Sequence, residues 1–406
     1  MADTNGDKSR LPMAGKRVLD CATFIAGPTC ATFLGEFGAD VIKVELPGIG
    51  CPLRKFGTVT EVGDSLPWLS ESRNKKSLTL DLRTKDGADI LKQLVTKADI
   101  LVENFQPGTL EGWGLGWEEL RKHNPSLVMV RISAYGQTGP YADRPGFGRI
   151  ANAFGGISYL AGYPDRPPVT PGSATLPDYL SGLYGALGAL LALRIAEKFG
   201  EGQYVDIGLY ESIFRILDEL APAYDYKGYV RERMGPGTVN VVPHSHYPSS
   251  DGKWIAIACT SDKIFARLAD VMGHPDLAGE GKWGTIRQRE ADREFVDQFV
   301  SDWTSQHTAA EILEVCSTGQ VPCGPLLSIA EIFENEQYKA RNNIARVPHE
   351  KLGHVSVPNV VPFLSGTPGR IEALGPKLGE HTEEILSELL GMGKDEIARL
   401  KESAVI

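Results

Sequence analysis

The chain has 406 residues, of which 42 are basic and 52 acidic, giving a net charge of −10, and 42% are hydrophobic. This length suggests two or three domains with ample core, and the composition is ordinary for a soluble globular protein. The acidic balance, without a local basic patch, argues against a nucleic-acid partner. The longest apolar run, 186–193, is too short to span a membrane, and the polar N-terminus lacks the apolar segment of a signal peptide. We therefore expect no membrane partner, and residues 1–12 are predicted to be a disordered lead-in.

Cysteine and histidine usage indicates a reducing cytoplasm and no resident metal. The six cysteines are few for this length, form no CxxC pair and lack the spacing of a zinc site. His244 and His246 are close in sequence, in a loop flanked by proline, but loop chemistry explains them better than a metal site does. The predicted location is cytoplasmic.

Strands and helices alternate through the first 150 residues. An apolar strand begins at 17–19, a glycine turn leads into a helix over 30–37, and a second strand follows over 39–44, which is a βαβ unit. The turn lacks GxGxxG, so a dinucleotide site is not supported. Further elements are predicted over 77–82, 86–97, 100–103 and 127–133.

These strands end in turns rich in Gly, Pro or Asn. In open α/β sheets the carboxyl ends of strands bind ligands, so the four turns are predicted to converge on one face. The alternative is ordinary connection chemistry, which needs Gly and Pro in any case.

The stretch over 170–213 organises the chain as a loop, a long apolar helix, a turn and a strand. Pro177 fixes a helical φ, and Asp178 stands where the helix begins. Three glycines recur every third residue from Gly182 and cost about 1 kcal/mol each, which indicates close packing against a backbone or a ligand. On residue chemistry alone, Asp178 is either a helix cap or a catalytic carboxylate.

Composition shifts after residue 220. Residues 222–250 are rich in Gly and Pro and show no clear helix. The segment 221–330 is predicted to be a small domain, after which 331–406 returns to strand, proline turn and helix. The predicted strands and helices of the small domain cover 253–259, 263–272, 293–306, 308–318 and 322–328.

Nine segments occur in the order of a known family. They are RVLD…AGP, LGEFGADVIKVELP, NKKSLTLDL, ADILVENFQPG, SAYGQTGPYADRPGF, PDYLSGLYGALGAL, GEGQYVDIGLYES, VPCGP and LGEHTEE. Together they resemble the family III CoA-transferases, the formyl-CoA transferase and carnitine-CoA transferase superfamily, from about residue 14 to the last residue.

The resemblance implies an α/β fold with a Rossmann-like large domain built from 13–220 and 331–406, and a smaller α+β domain over 221–330. It implies either an interlocked-ring homodimer or a hetero-oligomer with a paralogous subunit. The implied activity is CoA transfer from an acyl-CoA to a carboxylic acid, with the coenzyme A thioester as substrate and no permanently bound cofactor or metal. The nearest resemblance favours succinyl-CoA as donor and malate, citramalate or a similar dicarboxylate as acceptor.

Asp178 is the nucleophile that the resemblance implies. A desolvated carboxylate can attack a thioester, giving a mixed anhydride and then an aspartyl-CoA thioester. Each step passes through an oxyanion that needs N–H donors. The loop containing Gly235 and Gly237 is either such a donor or a plain flexible loop.

The resemblance also implies the CoA-binding segments. Arg54, Lys75 and Arg83 either contact phosphates or are solvated surface charges. The other residues that match the family's binding segments are Ile25, Ala26, Leu46, Leu80, Asp81, Leu82, Asn104, Phe105, Gln106, Arg144, Pro145, Gly146 and Phe147.

Two positions depart from the family. Gly112 stands where many relatives have arginine, so any CoA contact of that side chain is lost or replaced. After Pro145-Gly146, relatives often have an aromatic residue or His followed by an acid, whereas this chain has Phe147-Gly148-Arg149. Arg149 either binds the second carboxylate of a dicarboxylate, or it caps a helix or pairs with a surface acid.

Two other functions compete with CoA transfer. An acyl-CoA racemase needs a His base where this chain has Phe147-Gly148, so that base is missing. A non-catalytic CoA-binding subunit has no need of Asp178.

Overall fold

A six-stranded parallel sheet organises the chain. The computed structural model describes residues 7–172 and 175–406. In chain order the strands are β1 (Arg17–Asp20), β2 (Asp40–Glu45), β3 (Lys75–Thr79), β4 (Ile100–Glu103), β5 (Val128–Ser133), β6 (Tyr204–Gly208), β7 (His244–Pro248), β8 (Trp254–Ala258), β9 (Cys323–Pro325), β10 (Ile344–His349) and β11 (Gly353–Pro358). The sheet order β3-β2-β1-β4-β5-β6 is that of the Rossmann fold. The predicted α/β, Rossmann-like architecture is confirmed.

Helices follow most of the parallel strands, as right-handed crossovers require. In chain order they are α1 (Ala26–Glu36), α2 (Leu66–Glu71), α3 (Lys85–Val95), α4 (Thr109–Gly112), α5 (Trp117–His123), α6 (Gly148–Phe154), α7 (Ile157–Leu160), α8 (Leu176–Phe199), α9 (Leu209–Phe214), α10 (Leu220–Lys227), α11 (Asp262–Val271), α12 (Ile286–Ala291), α13 (Arg293–Thr304), α14 (Ala309–Thr318), α15 (Ile329–Glu334), α16 (Glu336–Ala340), α17 (Thr382–Leu390) and α18 (Lys394–Glu402).

The chain divides into two compact units. The large unit comprises Met1–Ser158, Thr170–Gly228 and Lys339–Ile406, and the small unit comprises Tyr159–Val169 and Tyr229–Tyr338. The short segment 159–169 thus belongs to the small unit, whereas the sequence placed it in the large domain.

Both faces of the parallel sheet are buried. Val18 and Leu19 are successive residues of β1, so they point to opposite faces. Val18 lies in a core with Ala189 of α8, and Leu19 lies in a second core with Leu91 of α3 and Leu386 of α17. Helices on both faces are what an all-parallel sheet needs, because its strands are apolar on both sides.

The three glycines of α8 allow close packing. A Cβ at Gly182 would lie 2.9 Å from the carbonyl oxygen of Ala26 in α1, and one at Gly188 would lie 2.6 Å from a methyl carbon of Val205 in β6. A side chain at Gly182 would push α8 away from α1, and one at Gly188 would push it away from β6. The close packing predicted from the glycine spacing is therefore present, and it fixes the first turn of α8 against α1.

The helix α8 is long and apolar enough to cross a membrane by length and composition alone. The run 186–193 is only part of this helix, and Leu180, Leu183 and Ile195 add apolar residues outside it. A core helix of a soluble protein passes the same test, and α8 packs on α1 and the sheet. The absence of a membrane partner stays a prediction.

The small unit is built on an antiparallel sheet of β7, β8 and β9. Phe265, Val296 and Ile312 from three helices form its core with this sheet. The loop predicted around His244 is wrong, because His244 and His246 lie on β7, which pairs with β8. Pairing with a neighbour creates this strand, and the prolines stand at its ends. Within the described residues no group of three or more His, Cys, Asp or Glu is placed to hold a metal.

The end of the chain belongs to the large unit. His381 donates its N–H to the Ser77 carbonyl, and Thr382 Oγ1 accepts the N–H of Thr79, so α17 is tied to the edge strand β3. Near the start of the chain, Lys8 forms an ion pair with Glu372 and Leu11 is buried. The predicted lead-in is therefore ordered over 7–12, with a 3-10 turn at Lys8–Arg10 and Leu11 buried, and its residues 1–6 lie outside the described part.

Candidate active site

The loops that follow β1 and β4 are joined where the strand order changes direction. Asn104 Oδ1 accepts the backbone N–H of Thr23 at 2.7 Å, and its Nδ2 donates to the Thr23 carbonyl at 2.8 Å. This is the switch point at which open α/β sheets bind ligands. Ile25 and Ala26, at the start of α1, follow directly from it.

Asp178 lies in the first turn of α8 beside this point. The residue before the helix, Thr175, makes no side-chain cap, and Asp178 is a helical residue, so the helix-cap interpretation does not hold. Burial raises the pKa of Asp178 to about 6. Its Oδ2 is buried and, within residues 7–172 and 175–406, has no hydrogen-bond partner. A buried carboxylate oxygen without a donor is costly and is typical of a functional group.

Gly148 leaves the room that this carboxylate occupies. A Cβ at Gly148 would lie within 3.0 Å of Asp178 Oδ2 and 3.7 Å from Pro177 Cδ. Real Cβ atoms do not approach so closely, so any larger residue at 148 would displace the carboxylate. The departure from the family's pattern at Phe147-Gly148 thus has a steric reason in this chain.

A buried charge network lies beneath the switch point. Lys75 Nζ donates to Asp20 Oδ2 at 2.9 Å and to the Pro28 carbonyl at 2.7 Å, and Lys43 also contacts Asp20. Burial opposes ionisation, but Lys43 and Lys75 bring the pKa of Asp20 below its usual value. Because Pro28 belongs to the first turn of α1, Lys75 anchors that turn to the sheet.

Three comparisons with known proteins identify the family. The sequence profile described as CoA-transferase family III matches residues 13–382. The chain belongs to CoA-transferase family III. The predictions of the family and of the enzyme class are therefore confirmed.

The relatives of this CoA-transferase include enzymes of Chloroflexus aurantiacus. The chain is 55% identical to the succinyl-CoA–L-malate CoA-transferase beta subunit, over 99% of this chain and 100% of that one. It is 44% identical to the succinyl-CoA–D-citramalate CoA-transferase, over 97% and 98%. A crystal structure of a CAIB/BAIF family protein from Brucella suis is similar, with a TM-score of 0.82, 32% identity, and coverage of 93% and 99%.

Two of the three cations predicted to contact phosphates of CoA are committed elsewhere. The ammonium of Lys75 is fully buried on Asp20, so it does not reach the surface. The guanidinium of Arg54 bonds both oxygens of Glu45 at 2.8 Å and stacks on Trp68. Side-chain type alone identified these residues as cations, but buried acidic partners take up their charges.

Arg83 and Arg144 keep their charges at the surface of the CoA-transferase. Arg83 bonds both oxygens of Asp81 while 58% of its side chain is exposed. Arg144 is exposed and stacks on the ring of Tyr141 at 3.6 Å. Although it is paired with Asp81, Arg83 remains a candidate for a phosphate contact because its side chain is exposed. Arg144, predicted as a CoA-binding residue, is exposed as well.

The other predicted CoA segments differ in what they expose. The side chains of Leu80 and Leu82 are buried, so these positions offer a ligand only their backbone. Asn104 is committed to Thr23, as described above, while Phe105 packs on Trp113. Ile25, Ala26 and Asp81 are buried as well. Five predicted positions are at least partly exposed, namely Leu46, Gln106, Pro145, Gly146 and Phe147. At Gly112, a Cβ would meet open space, so the missing arginine leaves a bare surface.

The two glycines proposed as oxyanion donors lie in the small unit. Gly235 donates its N–H to the Gly162 carbonyl at 2.9 Å, and Gly237 donates to the Met234 carbonyl at 3.1 Å. Gly235 also has a φ of +60°, with a Cβ position 2.8 Å from the Tyr163 ring. Both amides are occupied in this arrangement, so this loop gives no free donor to an oxyanion. The glycine content of the loop indicated that it is flexible, but it could not show which hydrogen bonds its amides make.

Sequence reasoning missed Phe24 and Phe56. Phe24 has a φ of +59°, and its ring lies edge-on to those of Phe56 and Phe147. A non-glycine residue at positive φ leaves no reliable mark in the sequence.

Proposed function

We propose that this CoA-transferase moves CoA from succinyl-CoA to malate, citramalate or a similar dicarboxylate through a covalent intermediate on Asp178. The observation that carries the proposal is that the buried Oδ2 of Asp178, beside the switch point, has no hydrogen-bond partner among the described residues. The relatives named for succinyl-CoA with malate and with citramalate, at 55% and 44% identity, support the choice of substrates.

The chemistry begins with the Asp178 carboxylate attacking the thioester carbon of the donor. A C–O bond forms, the C–S bond breaks, and CoA leaves as thiolate, giving a mixed anhydride. The thiolate then attacks the Asp178 carbonyl, which releases the donor acid and leaves an aspartyl-CoA thioester. The acceptor carboxylate reverses these steps. Because Oδ2 has no donor within the described residues, its electron pairs are not stabilised by hydrogen bonds before attack.

Arg149 is the residue we propose for the second carboxylate of the acid. It follows Gly148, which contacts Asp178, and its side chain is exposed. Its guanidinium donates to Thr170 Oγ1 at 3.3 Å, and within the described chain it forms no ion pair. A guanidinium without an acidic partner is available for bidentate binding of a carboxylate.

We also propose that the protein is a cytoplasmic dimer of identical, interlocked chains. An apolar row on α8 supports assembly, since several large side chains are exposed there: Leu183, Leu187, Leu190, Leu191 and Ile195. Exposed apolar surface of this extent marks an interaction site. Relatives named as alpha and beta subunits make a paralogous chain the alternative partner. The six cysteines, all free, are consistent with a reducing compartment.

The test is a panel of acyl-CoA donors against carboxylic acids, with products identified by mass spectrometry. We expect the highest rates with succinyl-CoA and hydroxylated dicarboxylates. Asp178→Ala should abolish transfer and retain CoA binding. Hydroxylamine added with succinyl-CoA should convert Asp178 to a hydroxamate, visible as a mass increment on its peptide. Transfer by the Ala variant at a substantial share of the wild-type rate would contradict the role of Asp178.

A further inference from the structure

Three phenylalanines, Phe24, Phe56 and Phe147, form an aromatic group that we call the aromatic rim. The ring of Phe24 lies between the other two, with centroid distances of 6.3 Å to Phe56 and 6.2 Å to Phe147. Both contacts are edge-on, an arrangement in which aromatic rings attract one another. Phe56 is nevertheless 49% exposed and Phe147 69% exposed. The rim is thus an ordered apolar surface that faces solvent.

The backbone holds the centre of the rim in an unfavourable conformation. Phe24 has a φ of +59°, which is rare and costly for a bulky side chain. Such strain persists only where the surroundings determine it, and it is concentrated at functional sites. The two hydrogen bonds between Thr23 and Asn104 fix one side of Phe24, and the start of α1 at Ala26 fixes the other.

Two of the three loops that carry the rim, those of Phe24 and Phe147, lead into residues that contact the first turns of α8. Phe147 immediately precedes Gly148, whose Cβ position is occupied by Asp178 Oδ2. On the other side, Phe24 lies two residues before Ala26, whose carbonyl oxygen approaches Gly182. Gly182 is one turn after Asp178. Two loops of the rim are therefore linked to the part of α8 that carries the carboxylate, one through Gly148 and the other through Ala26.

The reaction needs water to be kept from this carboxylate. Attack of a water oxygen on the aspartyl-CoA carbonyl forms a C–O bond and breaks the C–S bond. Of the two protons of the water molecule, one goes to the thiolate and the other to the solvent, and free CoA thiol and the Asp178 carboxylate result. This hydrolysis competes with the acceptor acid for the same carbon, and it wastes the thioester. Asp178 is only partly buried, so part of the residue remains accessible to water.

We propose that the aromatic rim excludes water from the covalent intermediates on Asp178 and so directs them to carboxylic acids. The inference rests on the proposed function, because it takes Asp178 as the nucleophile. Apolar rings fit this role, since they close a site without offering a hydroxyl or amine that itself attacks the thioester. They also lower the local dielectric around the carboxylate.

The experiment compares hydrolysis with transfer in the full-length protein. Transfer is measured by the exchange of labelled succinate into succinyl-CoA, in which succinate is both the released acid and the acceptor. Hydrolysis is measured by the release of free CoA thiol. The variants are Phe147→Ala and Phe56→Ala, with Phe295→Ala as the control, because Phe295 lies in the small unit and is 67% exposed. We expect the ratio of hydrolysis to exchange to rise about tenfold in both rim variants and to stay unchanged in the control. Phe147→Leu, which keeps an apolar side chain, should recover most of the wild-type ratio.

Other results of this experiment would contradict either the inference or the proposed function. An unchanged ratio in the rim variants, with exchange intact or reduced, would overturn the inference. A change of sedimentation coefficient in Phe147→Ala with an unchanged ratio would assign the rim to an interface between chains instead. Absence of exchange in the wild type would count against the proposed function and not against the rim. Adding Asp178→Ala to Phe147→Ala should abolish both hydrolysis and exchange, and persistent hydrolysis would contradict the rim's action on Asp178.

Discussion

The Oδ2 atom of Asp178 occupies the space that a Cβ would fill at Gly148. Position 148 is therefore restricted to glycine because a side chain there would collide with the carboxylate. Backbone conformation does not impose the restriction, since Gly148 begins α6 with a helical backbone. This relationship explains why the departure from the family's usual pattern at 147–149 is compatible with a carboxylate at 178. It also places the segment 147–149 directly beside the candidate nucleophile.

Gly148→Ala should lower kcat/KM for CoA transfer by about a hundredfold, because a displacement of about 1 Å in a reacting group has that effect. The added methyl group and Oδ2 cannot both keep their positions. Steady-state kinetics with succinyl-CoA and a dicarboxylate would measure the loss. Gly366→Ala is the matched control, since a Cβ there meets open space. Wild-type activity in Gly148→Ala would show that the carboxylate has room to move.

The pH dependence of both activity and stability should report the burial of Asp178. Burial raises the pKa of its carboxyl to about 6. The nucleophile is ionised above that value, so kcat/KM should rise with pH through about 6. For stability the sign is opposite: the folded state holds the proton more tightly than the unfolded state, so stability falls as pH rises from about 4 to about 6.

Asp178→Asn tests this linkage, because an amide does not ionise. Without substrate, the variant should be more stable than wild type at pH 7 by up to about 3 kcal/mol, and the difference should shrink as pH falls towards 4. Denaturant unfolding at several pH values would measure it. Equal stability of the two proteins at pH 7 would mean that the carboxylate is solvated.

The sequence predicted the alternation of strands and helices because apolar runs and glycine turns are local features. It predicted the close packing of α8 for the same reason, since the spacing of its glycines is visible in one segment. The partner of Lys75 was not predictable, because Asp20 reaches it only across the sheet. The partner of Arg54 was not predictable either, because the path of the loop after β2 brings that arginine back onto Glu45. The aromatic rim was also missed, since its three rings come from loops that are distant in sequence.

Lys75 and Arg83 should respond differently to removal of their charges. Lys75→Ala leaves Asp20 buried with one partner fewer, so it should destabilise the fold by about 3–5 kcal/mol. Arg83→Ala removes an exposed guanidinium, so it should raise KM for acyl-CoA about tenfold while Tm stays near the wild-type value. Thermal unfolding and steady-state kinetics on both variants would separate the two roles. A stable Lys75→Ala protein with a raised KM would return Lys75 to the CoA site.

Arg149 should determine the preference for dicarboxylic acids. A charge-assisted hydrogen bond is worth about 1.5–3 kcal/mol, so Arg149→Ala should lower kcat/KM for succinate and malate by about tenfold to a hundredfold. Activity with a monocarboxylate such as butyrate should stay near its starting level, because that acid has no second charge. Arg149→Lys should recover only part of the loss, since an ammonium lacks the planar fork that matches a carboxylate. Arg121→Ala is the control, as this arginine is an exposed residue of α5. Equal losses for both classes of acid would mean that Arg149 supports the loop through Thr170, and no loss for either would remove Arg149 from the site.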